Sequence, residues 1–183
     1  MKFWIIAAAL FAALPLSAAQ ADIASKSTEK TAGEAIAYSL PVAAVTVSLF
    51  HDDDWTGIEE YSFVGLSTLG TTVLIRRFVR EKSPDGKSDH AFPSLQAAVG
   101  SPAESYLWRR YGWEYGLPAF ILEHSASFLL DRAGKHHFVD GLAVSAISAG
   151  FSWMAVTPYH KRLYIGSYTD GQGGVYVGAQ MQF

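Results

Sequence analysis

Five long stretches poor in charge, each parted from the next by a short polar or glycine- and proline-bearing segment, limit this 183-residue chain to a helical design. Residues 31–49 are apolar with helical spacing, and Pro41 predicts a kink there, because proline lacks an N–H and crowds the preceding turn. After the run His51-Asp52-Asp53-Asp54 a second helix is expected, capped by Asp54 or Thr56 and ending near Arg80. Its acidic start and its Arg76, Arg77 and Arg80 end complement the helix dipole. Ser83-Pro84-Asp85-Gly86 marks residues 81–92 as a loop. Further helices are predicted over about residues 93–110, 116–131 and 139–156, the last stopped by Pro158. The tail changes period: residues 163–168 and 175–183 flank the glycine-rich stretch 170–174 and read as a β-hairpin. The expected fold is all-α, a compact bundle of about five helices within residues 22–160, followed by a short C-terminal β-hairpin in 161–183.

Residues 1–21 carry Lys2, an apolar run over 3–16 and Ala19-Gln20-Ala21, the pattern of a secretory signal cleaved before Asp22. The run is short for a bilayer span, so a retained anchor is the weaker reading. Residues 22–30 are polar and small and read as a flexible leader. The absence of cysteine leaves packing, without disulfides, to hold an exported fold. With 14 Lys+Arg against 17 Asp+Glu, there is no basic excess to attract nucleic acid. Half of the residues are hydrophobic and 14% are aromatic, which favours contact with lipid. The apolar runs are nonetheless shorter than the ~20 residues that span a bilayer, which favours helices buried in a bundle over spanning ones. The Phe183-terminated tail also resembles an outer-membrane strand, but one hairpin cannot close a barrel and hints only at location. The expected destination is the periplasm or the outer-membrane surface.

Three stations follow in order: Arg76 with Ser83-Pro84-Asp85-Gly86, then Phe92-Pro93-Ser94-Leu95-Gln96, then Lys135-His136-His137-Phe138-Val139-Asp140-Gly141. In their spacing and helix order, and in the linking segment from Trp108 to Pro118, they resemble the type 2 phosphatidic acid phosphatase and vanadium haloperoxidase superfamily. The signature of that superfamily is K-x6-R-P, P-S-G-H and S-R-x5-H-x3-D. The resemblance implies a histidine nucleophile, a carboxylate that orients it, a second histidine as acid, and cations around the phosphate, since covalent catalysis divides the hydrolysis and cations stabilise its charge. It places His136 on the nucleophile, Asp140 on the orienting carboxylate, Arg76 on the family lysine and Ser94 on the family serine. A lipid or other phosphoester is the expected ligand, and no cofactor and no metal are expected.

The departures fall on the phosphate cradle. Ser83 stands in place of one arginine, Leu130 in place of another, and Leu95 and Gln96 in place of glycine and the acid histidine. Gln96 donates a hydrogen bond but delivers no proton. Arg132 lies two positions from Leu130, about 200° round a helix, and cannot simply replace it. A missing acid and two missing charged contacts together predict a deficit of roughly 10⁵-fold. Glu123, Ser127 and Leu130 share one face of the predicted helix, where a carboxylate would repel phosphate; the alternative leaves Glu123 and His124 at the bundle surface.

Other features have plainer readings. Consecutive residues His51–Asp54 cannot all face one ion, and suit a solvated turn and cap. His136-His137 lacks a third zinc ligand at suitable spacing. Trp108–Tyr115 reads either as an interfacial belt or as a corner packed by rings. Three functions follow: a phosphatase relative of the envelope that is inactive or nearly so; an active phosphomonoesterase with His136 as nucleophile, assisted by Glu123, His124 or Arg132; or an outer-membrane accessory protein that works through its hairpin.

Overall fold

The computed structural model describes residues 26–84, 86–159, 162–169 and 175–182. The expected signal at 1–21, Asp85 and the glycine-rich turn at 170–174 lie outside them. Five α-helices follow one another: α1 (Lys26–His51), α2 (Thr56–Phe78), α3 (Leu95–Tyr111), α4 (Trp113–Arg132) and α5 (Phe138–Ala155). Two strands, β1 (Arg162–Thr169) and β2 (Val175–Gln182), then pair antiparallel, from Arg162 opposite Gln182 to Thr169 opposite Val175.

Several boundaries differ from the sequence expectation. Helix α1 begins at Lys26, so the later part of the expected flexible leader is helical. Its polar first turn is held by tertiary contact, Glu29 being buried and ion-paired to Arg132 at 2.9 Å. Helix α1 runs on through Pro41. Helix α4 starts at Trp113, three residues early, because Gly112 makes the whole connection from α3 at φ 89°, a conformation that favours glycine. The N-cap of α2 is Trp55, with no side-chain cap bond, in place of the expected Asp54 or Thr56; Asp54, one residue earlier, accepts from Thr56 N at 2.9 Å.

Helix α3 packs against all four other helices. Residues 100–107 along it are buried without a break. Only part of that contact is apolar, Ala103, Tyr106 and Leu107 clustering with Leu40, Val64 and Ala119. Between α3 and α5 the contact is a ladder of hydroxyls: Ser101 with Ser145 at 3.1 Å, Ser105 with Ser148 at 2.6 Å, and Ser152 with Ser105 at 2.9 Å. Leucines and aromatics are displaced outward. Leu66 is 72% exposed and Met154 81%, whereas Thr68 and Ser148 are wholly buried. By length and composition, α1 and α5 are able to cross a membrane.

The helix ends gather in two groups. At one, Glu29 meets Arg132, and the C-terminus of α2 meets the segment leading into α3. At the other, Arg110 ties four segments together. Its Nη2 lies 3.0 Å from Asp52 Oδ2, its Nη1 2.8 Å from Glu60 Oε2, and the same Nη1 donates to Thr157 O at 3.1 Å. Tyr111 OH donates to Asp52 Oδ2 at 3.0 Å, and Arg110 O accepts from Tyr159 N at 2.7 Å. Asp52, in the run that offered metal-ligand chemistry, thus serves as a partner for arginine. Removing one member of a buried ion cluster strands the others. Arg110→Ala is expected to destabilise the fold by about 3–5 kcal/mol in thermal unfolding, and Asp52→Ala in the same chain to restore part of the loss. A loss no larger than that of an exposed arginine would contradict the assigned role.

Candidate functional site

Arg76, in the last turn of α2, reaches across to the chain that enters α3. Its Nη1 donates to Pro93 O at 2.7 Å and to Ala91 O at 3.0 Å. It feels the charge of Asp140, in the first turn of α5, and Asp140 in turn feels Glu81 and His136. The three stations, separated by tens of residues in sequence, therefore come together at one end of the bundle.

Within the cluster each side chain already has a task. His136 lies in the link between α4 and α5 and is only 2% exposed. A carbonyl oxygen can only accept, so the 3.0 Å contact of His136 Nδ1 with His137 O puts the proton on Nδ1 and leaves Nε2 with a lone pair. That Nε2 has no hydrogen-bond partner. Burial lowers the pKa of His136, opposed by the charges of Asp140 and Asp131, so the ring is held neutral. Asp140 makes no hydrogen bond to the ring. Its Oδ2 accepts from His137 N at 2.8 Å, capping α5, and its Oδ1 is buried without a partner. Ser94 is the N-cap of α3, with Oγ accepting from Ala97 N at 3.1 Å.

The substituted positions are equally occupied. Ser83 is buried and closes the 83–88 turn, its Oγ accepting from Ser88 N at 3.0 Å and its own N–H bonding Ser88 O at 2.9 Å. Leu130 is buried in the crossing of α1 and α4, so close to Gly33 that a Cβ there would lie 2.8 Å from Leu130 Cγ. Leu95 and Gln96 begin α3, the first exposed and the second half-buried. Arg132 is turned to Glu29.

Glu123, Ser127 and Leu130 do share a face, and it is buried, which removes the surface alternative for Glu123. Glu123 is 1% exposed, accepts from Ser101 Oγ at 3.3 Å and is packed on Gly100. His124 is half-buried, its Nδ1 2.9 Å from Phe120 O and 3.4 Å from Glu104 Oε2. These two side chains, the assistants in the hydrolase reading, thus engage groups other than His136. Sequence reading missed Glu104, the serine ladder and the Arg110 cluster; the one available signal was serine at positions 101, 105, 145, 148 and 152, repeating at helical spacing. Among the described residues no group of three or more His, Cys, Asp or Glu could hold a metal ion.

No family model, curated protein or solved structure matches the chain.

The neutral, buried His136 has a consequence for stability. Below the ordinary histidine pKa of about 6.5 the unfolded chain takes up a proton that the folded ring resists, so stability is present above that pH and falls as pH drops below it. Glu123, His124 and Asp140, whose pKa values are raised, act in the opposite sense, so the expected signature is a difference: between pH 7.5 and 5.5 the melting temperature should fall further, or rise less, in the unaltered protein than in His136→Gln. Parallel curves for the two proteins would show that the ring is not held neutral.

Proposed function

We propose that this chain is a membrane-embedded bundle of the bacterial envelope, related to the type 2 phosphatidic acid phosphatases in scaffold and inactive as a phosphatase. The observation that carries the second half is that the side chains at the cradle positions are engaged within the protein. Arg76 is bound to two carbonyls, Ser83 closes a turn, Leu130 fills a helix crossing and Arg132 faces Glu29. A phosphate brought to His136 would meet the charges of Asp140 and Asp131. Each charge-assisted bond missing from the cradle removes on the order of 1.5–3 kcal/mol.

Support for the membrane comes from the inversion of the bundle. A monomer in water rarely leaves large contiguous apolar surface bare. Here Phe50, Leu66, Phe78, Trp153 and Met154 are each at least 70% exposed, while serine, threonine and glutamate line the interior. Helices α1 and α5 are long and apolar enough to cross a membrane. Close crossings at Gly33 and Gly116 and hydroxyl bonds between helices are the means by which helices associate where lipid removes the hydrophobic drive. Trp55, Trp108, Trp113 and Trp153 all lie towards the Arg110 end, as an aromatic belt would. Arg76, Arg77, Arg80, Lys82, Arg132 and Lys135 lie at the other.

The unoccupied lone pair of His136 Nε2 is the one feature favouring the hydrolase reading. The test is hydrolysis of a phosphomonoester and of phosphatidic acid by protein in detergent, with and without His136→Gln, together with melting in millimolar vanadate. The expected outcome is no turnover dependent on His136 and no vanadate shift, since stabilisation grows as RT ln(1 + [L]/Kd) and vanishes when Kd exceeds the ligand concentration. Turnover lost in His136→Gln, or a clear vanadate shift, would overturn the inactive reading.

A further inference from the structure

A second site lies on the flank of the bundle, near the tryptophan-bearing end and away from His136. A cleft of about 550 Å³ opens between α4 and α5 over α3. Its walls are aromatic, with Trp108 edge-on to Phe120, their centroids 6.3 Å apart, and Trp153 on the opposite side. Two charged side chains line it. Glu104 is 6% exposed, and its Oε2 accepts no hydrogen bond. The nearest cation, His124 Nδ1 at 3.4 Å, is already engaged by Phe120 O. Arg109 lays its guanidinium over the Trp153 ring, 4.4 Å from the centroid, and leaves a buried Nε without an acceptor.

A carboxylate whose one cation, His124, is shared with Phe120 O and a guanidinium whose Nε has no acceptor, in one apolar cleft, are complementary to a zwitterion. Along α3 they are five residues apart, about 7.5 Å in axial rise. Both nonetheless line the same cleft. We propose that this cleft binds the head group of a zwitterionic phospholipid that carries a primary ammonium. The ammonium donates to Glu104 and the phosphodiester accepts from Arg109. A primary ammonium fits better than a quaternary one, because only the former has N–H donors for Glu104 Oε2. The acyl chains would leave sideways over Ala146 and Ala149, which line the cleft on α5. The inference rests on the membrane reading above and is independent of the fate of the phosphatase chemistry.

The test uses Trp55→Phe/Trp113→Phe protein, so that fluorescence of the bundle reports chiefly on Trp108 and Trp153 in the cleft. It is reconstituted in phosphatidylglycerol vesicles doped with a minor fraction of chain-brominated phosphatidylethanolamine, phosphatidylglycerol or phosphatidylcholine. Quenching by the ethanolamine lipid is expected at about tenfold lower mole fraction than by the glycerol lipid, the worth of one charge-assisted bond. Glu104→Gln should erase that preference, and Arg109→Gln should weaken binding of the ethanolamine lipid. Equal quenching by ethanolamine and glycerol lipids overturns the cleft assignment and leaves the membrane reading standing. Equal quenching by ethanolamine and choline lipids overturns the primary ammonium. Absence of quenching by all three, with protein left outside the vesicles, overturns the membrane reading and the cleft together. The contrast between lipids in protein with Glu104 and Arg109 intact decides the matter even if a variant fails to fold.

Discussion

The fold depends on how α3 is held. It touches every other helix and is buried over residues 100–107, yet along its contact with α5 it offers hydroxyls in place of leucine. Ser101, Ser105, Ser145, Ser148 and Ser152 are short enough for the two backbones to approach closely, and each hydroxyl finds a partner across the gap. Both ends of α3 are anchored too. Ser94 caps its start beside the His136 cluster, and Arg110 binds Asp52 and Glu60 at its finish. A shift of α3 along its axis would break bonds at both ends and along the ladder, so the position of the candidate site and of the Glu104 cleft both follow from this helix.

The positions of the helices were legible because glycine, proline and charge punctuate the chain, and the common face of Glu123, Ser127 and Leu130 followed from the 3.6-residue period. Periodicity tells which residues share a face and is silent on whether that face turns inward. In water the apolar face would be buried. Here Thr68 and Thr72 are buried, while Leu66, Leu69 and Val73 on the same helix look outward. The sequence preference for buried over spanning helices rested on the length of the apolar runs, a criterion that does not sense which way a face turns. Contacts between distant segments were illegible for another reason: nothing near Asp52 announces Arg110, and nothing in the polar stretch at Glu29 announces that Arg132 will draw it into a helix.

At the candidate site the sequence identified residues that do come together, but not what each does there. Asp140 was expected to orient His136 and instead caps α5 through the His137 N–H, acting on the ring by charge alone. Ser94 and Ser83, one retained and one substituted, both use their hydroxyls to hold backbone. Substitution at such positions alters local structure as well as chemistry, so the proposed loss of phosphatase function is built into the turn at 83–88 and the crossing at Gly33, beyond the absence of two arginines and an acid.

The surroundings of the outward apolar face decide between lipid and water, and the absence of cysteine gives direct access to them. Single cysteines placed at Leu66, Val73 and Met154, and at Val64 and Thr72 for contrast, can carry a nitroxide in reconstituted protein. Its collisions with oxygen and with a water-soluble nickel complex then report the surroundings of each position. Labels at positions 66, 73 and 154 should collide with oxygen and not with nickel, while those at 64 and 72 should be shielded from both. Nickel-accessible labels at 66, 73 and 154 would place these side chains in water and contradict the account.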